Sequence, residues 1–177
     1  MPDPSSIERR AAHIKLLLMD CDGVLTDGNV WLLESGEQKR FNVRDGLGLA
    51  LWHRAGLKSG IISGRSSTCV ERRAAELKIE FVRQGAEDKL ADFQELVSEA
   101  GVEEREVAFV GDDLNDIPLM LRSEFAIAVA DAAEEARAVA HYVTRAPGGF
   151  GAIREVVEII LKAQGHWADL TQKYLKV

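Results

Sequence analysis

Six short apolar runs, at residues 14–19, 60–62, 79–82, 107–110, 125–129 and 142–143, alternate with segments whose apolar residues recur every three or four positions. The runs are too short for helices and several are β-branched, so they read as strands, and the segments between them read as helices. A chain that keeps switching between these two periods has few options: it forms a mostly parallel sheet and covers both faces with the crossover helices. The helical stripes are Leu47, Ala50, Leu51 and Ala55; then Val70, Ala74 and Leu77, opened by a capping box of Thr68 and Glu71; then Leu90, Phe93, Val97 and Ala100, ended by Gly101. Ile153, Val156, Val157, Ile160 and Leu161 form the last stripe.

The expected fold class is therefore α/β, a three-layer, doubly wound (Rossmann-like), mostly parallel sheet. One segment breaks the alternation. Residues 29–34 and 37–43 flank Ser35-Gly36 and read as an antiparallel hairpin, an insertion over about 29–43 that is too small to be a domain. With 177 residues the chain is expected to form a single domain, 1–177, ending in a tail over about 165–177 with Trp167, Leu170 and Tyr174 at helical spacing. Trp31 and Leu33 share one face of the hairpin's first strand and Val30 and Leu32 the other, so one apolar face should stay uncovered within the chain. A homo-oligomer built around the hairpin would cover it.

Charge and cysteine content narrow the function. A net charge of −7 argues against nucleic acid or anionic lipid as a partner, and no apolar run approaches the roughly 18 residues of a membrane span. The two cysteines, Cys21 and Cys69, have no paired spacing, which fits a reducing, cytoplasmic setting.

The chemistry gathers at strand ends, where open parallel sheets place their sites. The first run ends in Asp20-Cys21-Asp22-Gly23, and a period of two would aim both carboxylates to one side. The second leads into Ser63-Gly64-Arg65, whose hydroxyl and backbone N–H groups could hold an anion before a helix. Lys89 opens a helix, where its charge opposes the helix dipole unless an anion lies nearby. The fourth run ends in Gly111-Asp112-Asp113-Leu114-Asn115-Asp116; such a cluster repels itself without a cation among the acids, and hard oxygen ligands suit magnesium. Arg40, Arg44 and Arg65 are cations available to a substrate carboxylate. Cys21, between the two acids, reads as a buried bystander, and the four histidines are too scattered for a metal cluster.

In this order and spacing, D-x-D-G-V-L-T-D-G from residue 20, S-G-R from 63, the helix-opening lysine and G-D-D-x-x-D from 111 resemble the haloacid dehalogenase superfamily of phosphatases. With F-N-V-R-D-G at 41–46 and G-G-x-G-A-I-R-E at 148–155, the chain looks more closely like the 3-deoxy-D-manno-octulosonate 8-phosphate phosphatases, a subclass with a hairpin in place of a cap domain. The resemblance implies hydrolysis of that sugar-acid phosphate monoester, in lipopolysaccharide precursor synthesis, by a homotetramer using Mg2+ and an aspartyl-phosphate intermediate. It implies Asp20 as nucleophile and Asp22 as general acid/base, with Ser63 and Lys89 binding the transferring phosphoryl group; Gly64, Arg65 and Arg44 are further substrate-binding candidates beside them. Asp20, the backbone carbonyl of Asp22 and Asp112 would hold the metal, supported by Asp113 and Asp116. Phe150 departs from the pattern, which often has arginine after the paired glycines. Competing readings are a related nonulosonate 9-phosphate phosphatase and a non-enzymatic module, either similar to a receiver domain or regulatory.

Overall fold

The computed structural model describes residues 4–34 and 36–176. Six parallel strands form one sheet in the order β5-β4-β1-β6-β7-β8: β1 (Leu16–Met19), β4 (Lys58–Ser63), β5 (Phe81–Gln84), β6 (Val107–Gly111), β7 (Phe125–Ala128) and β8 (Tyr142–Val143). Each coincides with a predicted run to within a few residues. β2 (Trp31–Leu33) and β3 (Gly36–Gln38) pair separately as the antiparallel hairpin. Its strands are shorter than predicted; beyond β3 Phe41 bridges to Thr26, Asn42 is the N-cap of α2 and Val43 its first residue. Gly36, expected in the turn, is a strand residue opposite Leu33, and Ser35 lies outside the described residues.

Helices cover both faces of the sheet. On one side α2 (Val43–Arg54) packs on α7 (Ala152–Ala163) and α3 (Thr68–Leu77), while α7 also meets α1 (Pro4–Ala11) and α8 (Trp167–Leu175). On the other, α4 (Lys89–Ala100) packs on α5 (Ile117–Arg122), and α5 on α6 (Glu134–Val139). The core is continuous through all layers, and β1 at its centre is buried at every position. Burying each of its large side chains contributes roughly 1.5–3 kcal/mol.

Two local expectations are corrected. The inward face of α2 is Leu49, Leu51 and Trp52 with Gly46 and Gly48, while Leu47 is exposed. Close approach to α7 sets this face, since a β-carbon on Gly48 would lie 3.2 Å from the Cα of Arg154. The N-cap of α3 is Ser67 rather than Thr68, and no side-chain capping bond is made there; the Ser67 carbonyl accepts from the Val70 and Glu71 N–H groups. The tail helix α8 packs on its own chain, with Trp167 and Leu170 against the core and the Arg154 and Lys162 charges over the Trp167 ring at 5.1 and 5.3 Å.

Register explains the site's location. Met19 pairs with Ile61 on one side and Val110 on the other, so the chain leaves three adjacent strands at Asp20, Ser63 and Asp112.

Candidate active site

Beyond Met19 the chain turns at once. The Cys21 carbonyl accepts from the N–H groups of Val24, Leu25 and Thr26, so Asp20 and Asp22 do not continue the strand's alternation, and their carboxylates meet different cations. Asp20 Oδ1 accepts from Lys89 Nζ at 2.9 Å, and the same ammonium donates to Asp116 Oδ1 at 2.8 Å. Asp88 caps α4 by accepting from Leu90 and Ala91, which fixes the helix start and aims Lys89 inward. The anions expected beside this lysine are thus two carboxylates of the chain itself.

Carboxylate oxygens of Asp20, Asp112 and Asp116 lie within 4.8 Å of one another. Asp116 is fully buried and its Oδ2 accepts from the N–H groups of Asp112 and Asp113 at 3.0 and 3.4 Å, so it braces the loop that presents Asp112. Asp113 is an exposed cap whose Oδ1 accepts from Leu114 N–H at 2.8 Å. Burial, reinforced by Asp116, pushes the Asp20 carboxyl up to about 6 against the pull of Lys89. Burial, then repulsion from Asp20, Asp116 and Asp113, pushes Asp112 up to about 8. Burial works against the Lys89 charge, but Asp20 and Asp116 outweigh it and hold the ammonium above the usual lysine range. Ionising all three carboxylates against one ammonium would leave two negative charges in a buried setting, which is why Asp20 and Asp112 hold their protons so high; a divalent cation on hard oxygen ligands would neutralise that charge and let them ionise. The residues therefore fit magnesium.

Ser63 is buried at the end of β4, and its Oγ accepts from the Arg65 N–H at 3.4 Å. Gly64 sits close to Lys89, with the position of a β-carbon 4.0 Å from Lys89 Cε. Asp22 is partly covered by the hairpin: its Oδ1 is ion-paired with Lys39 Nζ and takes the Thr26 hydroxyl at 3.4 Å, while Arg65 Nε stands 3.5 Å from Oδ2. Arg44 is exposed and lines a surface cavity of about 470 Å³ with Arg145, Phe150 and Arg154, apart from the carboxylate cluster. Cys21 is fully buried, and burial pushes its thiol above the usual range, in keeping with a bystander.

The paired glycines before Phe150 have a steric reason. A β-carbon on Gly148 would fall 1.6 Å from Gly23 O and one on Gly149 2.4 Å from Asp27 N, so this loop presses on the turn that carries Asp22. Phe150 lies beneath an arginine from elsewhere: the Arg40 guanidinium stands 4.7 Å from its ring centroid and pairs with Asp27 at 2.8 Å.

Three residues escaped the sequence reading. Lys39 and Glu37 reach the site from the hairpin, where a lysine ordinarily signals only edge protection. Asp45 is buried on α2 and its Oδ1 accepts from Arg154 N–H at 2.7 Å, capping α7 from outside because the helix's own N-cap is Gly151. Burial pushes Asp45 up to about 6 against the pull of the N–H groups that open α7, Arg154 foremost.

A family model for haloacid dehalogenase-like hydrolases matches residues 72–148. The 3-deoxy-D-manno-octulosonate 8-phosphate phosphatase KdsC of Yersinia pestis is 43% identical over 164 residues, covering 92% of this chain and 88% of the relative. Among solved structures, a probable YrbI family phosphatase from Pseudomonas syringae pv. phaseolica superposes with a TM-score of 0.95 at 44% identity, covering 98% of this chain and 99% of that one. The 3-deoxy-D-manno-octulosonate 8-phosphate phosphatase of Moraxella catarrhalis, solved with magnesium, phosphate and KDO, gives a TM-score of 0.93 at 43% identity, covering 96% and 98%.

Proposed function

Because the chain belongs to the haloacid dehalogenase-like hydrolases, and within them to the 3-deoxy-D-manno-octulosonate 8-phosphate phosphatases, we infer that it hydrolyses that sugar-acid phosphate to the free sugar acid and inorganic phosphate, with magnesium. The observation that carries the reading is Lys89 held between Asp20 and Asp116 beside Asp112, at the mouth of three adjacent strands. A non-enzymatic receiver-like or regulatory role and the nonulosonate alternative are not favoured by relatives that match nearly the whole chain.

A phosphate monoester is inert, so the protein must place a nucleophile in line, neutralise the equatorial oxygens and protonate the departing alkoxide. Asp20 is the nucleophile: its carboxylate attacks phosphorus and forms an aspartyl phosphate as the sugar oxygen leaves. Asp22 gives that oxygen its proton, then as carboxylate takes a proton from the water that splits the aspartyl phosphate. The Ser63 hydroxyl, the Gly64 backbone and the Lys89 ammonium hold the phosphoryl oxygens, and Arg65 faces the sugar acid, whereas Arg44, on the cavity apart from the carboxylate cluster, does not reach it within the chain. Asp20, the Asp22 backbone carbonyl and Asp112 would hold the magnesium, which supplies positive charge where an anionic nucleophile must meet an anionic ester. Asp113 and Asp116 support that set.

The whole chain, 1–177, acts as one phosphatase domain with the hairpin over about 29–43 as its insertion and residues 165–177 as its tail. Both cysteines are free, which supports a cytoplasmic enzyme; among the described residues no helix is long and apolar enough to cross a membrane. The assembly is a homotetramer packed through the hairpins, on the support of Trp31, Leu32 and Leu33, which are all exposed. A neighbour then lies over each site and excludes water from it.

The test is a substrate panel. Specificity constants should favour the octulosonate 8-phosphate over a nonulosonate 9-phosphate and over simple hexose phosphates, and turnover should vanish on removal of bound metal and return with added magnesium. Equal or better constants for the hexose phosphates would refute the substrate, and full activity in excess chelator would refute the metal.

A further inference from the structure

Lys39, immediately after β3, has a side chain with no solvent exposure. An ammonium removed from water must be paired, and its partners are Asp22 Oδ1 and, at 3.6 Å, Glu37 Oε1. Glu37 lies two residues earlier, on the same side of the extended chain. It also accepts from Arg65 at 3.1 Å, and its backbone carbonyl takes the Cys69 thiol at 3.2 Å. Two anions and two cations thereby join the turn after β1, the hairpin and the loop after β4. Within this network the two oxygens of Asp22 differ. Oδ1 holds Lys39 and shares the Thr26 hydroxyl with the Cys21 carbonyl, whereas Oδ2, buried with Arg65 Nε 3.5 Å away, accepts no hydrogen bond.

We propose that Lys39 is a positioning residue for the hydrolysis: it anchors Asp22 through Oδ1, so that Oδ2 is the oxygen that gives the proton to the departing sugar and later takes one from water. This rests on the acid/base reading of Asp22 given above. A short carboxylate can rotate between staggered states, and a charge-assisted bond to one oxygen selects the state in which the other faces the reacting atoms. Orientation of this kind is worth much in rate, since small misplacements of a catalytic group cost up to about 10²-fold. The hairpin then has a task inside its own chain, in addition to any packing against a neighbour.

The experiment compares two esters in rapid-quench single turnovers. The sugar-acid phosphate has an alkoxide leaving group that needs a proton, and p-nitrophenyl phosphate has a phenolate that departs without one. Lys39→Met should slow phosphoryl transfer from the sugar-acid ester by about 10- to 100-fold and from the aryl ester by less than about threefold, while Lys39→Arg, which restores a charged donor, should stay within about fivefold of the parent on both. Asp22→Asn should show the same split, larger. Should Lys39→Met fail to fold, Glu37→Gln, which removes a counter-charge holding Lys39, should show the split at about threefold. Equal slowing on both esters, or no slowing, overturns the anchor. An absent split with Asp22→Asn overturns the role of Asp22 itself, and the two failures are thus distinguishable.

Discussion

β1 and β2 are both runs of large apolar residues, Leu-Leu-Leu-Met in one and Trp-Leu-Leu in the other, and they have opposite fates. Every residue of β1 is buried, and every residue of β2 is exposed, Leu32 to 79%. β1 is sandwiched between β4 and β6 under two helical layers, so its hydrophobicity is spent within the chain. β2 has only the three-residue β3 beside it, and the bridge between Thr26 and Phe41 closes the hairpin's base without covering either face. A two-stranded hairpin is marginal in water, and this bare strand is the surface that the proposed homo-oligomer would cover. Burial is a property of the neighbours a run acquires. The expectation of one uncovered apolar face is exceeded, because both faces of β2 are open.

The largest expected effect bears on the end of β1. Asp20→Asn should lower turnover by about 10⁴-fold or more and leave no phosphate on the protein in acid-quenched samples, while the assembly keeps its mass. Phosphate trapped on any other residue would break the assignment of chemistry to this strand end.

A smaller effect is expected at β2. If the proposed homo-oligomer forms, Leu32→Asp should convert it to a monomer in light scattering at micromolar concentration and lower kcat/KM on the order of tenfold through loss of the proposed covering neighbour. The melting temperature of the isolated chain should hardly move, since an exposed position contributes within about 0.5 kcal/mol. Unchanged mass, or a monomer with full activity, would remove the contrast between the two strands.

An effect on stability alone, with none on turnover, sharpens what the interior does. Asp45 is 1% exposed and its folded pKa is raised from 3.8 to about 6, chiefly by burial. Its folded form holds a proton that the unfolded chain has released, so this contribution to stability is complete below 3.8 and is lost as pH rises through about 6. Asp45→Asn keeps an acceptor for the Arg154 N–H and removes the titration. Its stability relative to the parent should therefore rise between about pH 4 and 6.5, by up to about 3 kcal/mol. A difference that stays flat across that window, measured by urea unfolding, would show that Asp45 titrates normally.

Much of this was legible along the chain. The period of each segment placed all six sheet strands, and the polar residues ending them, Asp20, Ser63 and Asp112, came out side by side because parallel strands in register end together. Lys89 was conspicuous for a local reason as well, a cation at a helix N-terminus, and its two carboxylate partners account for it. Helix faces were less legible: on α2 the contact with α7 is made through Gly46 and Gly48, and a hydrophobic stripe cannot register a residue that matters by lacking a side chain.

Local pattern thus determined the strands, the hairpin and the chemistry at the strand ends, since periodicity and capping act within one or two turns of chain. Tertiary structure decided which charges meet. Lys39 reaches Asp22 across 17 residues, Asp45 caps a helix 109 residues away, and Arg40 stacks on Phe150. No spacing rule links such pairs, because their distance depends on how the sheet closes and where α7 returns, and only that closure turns separate side chains into one network.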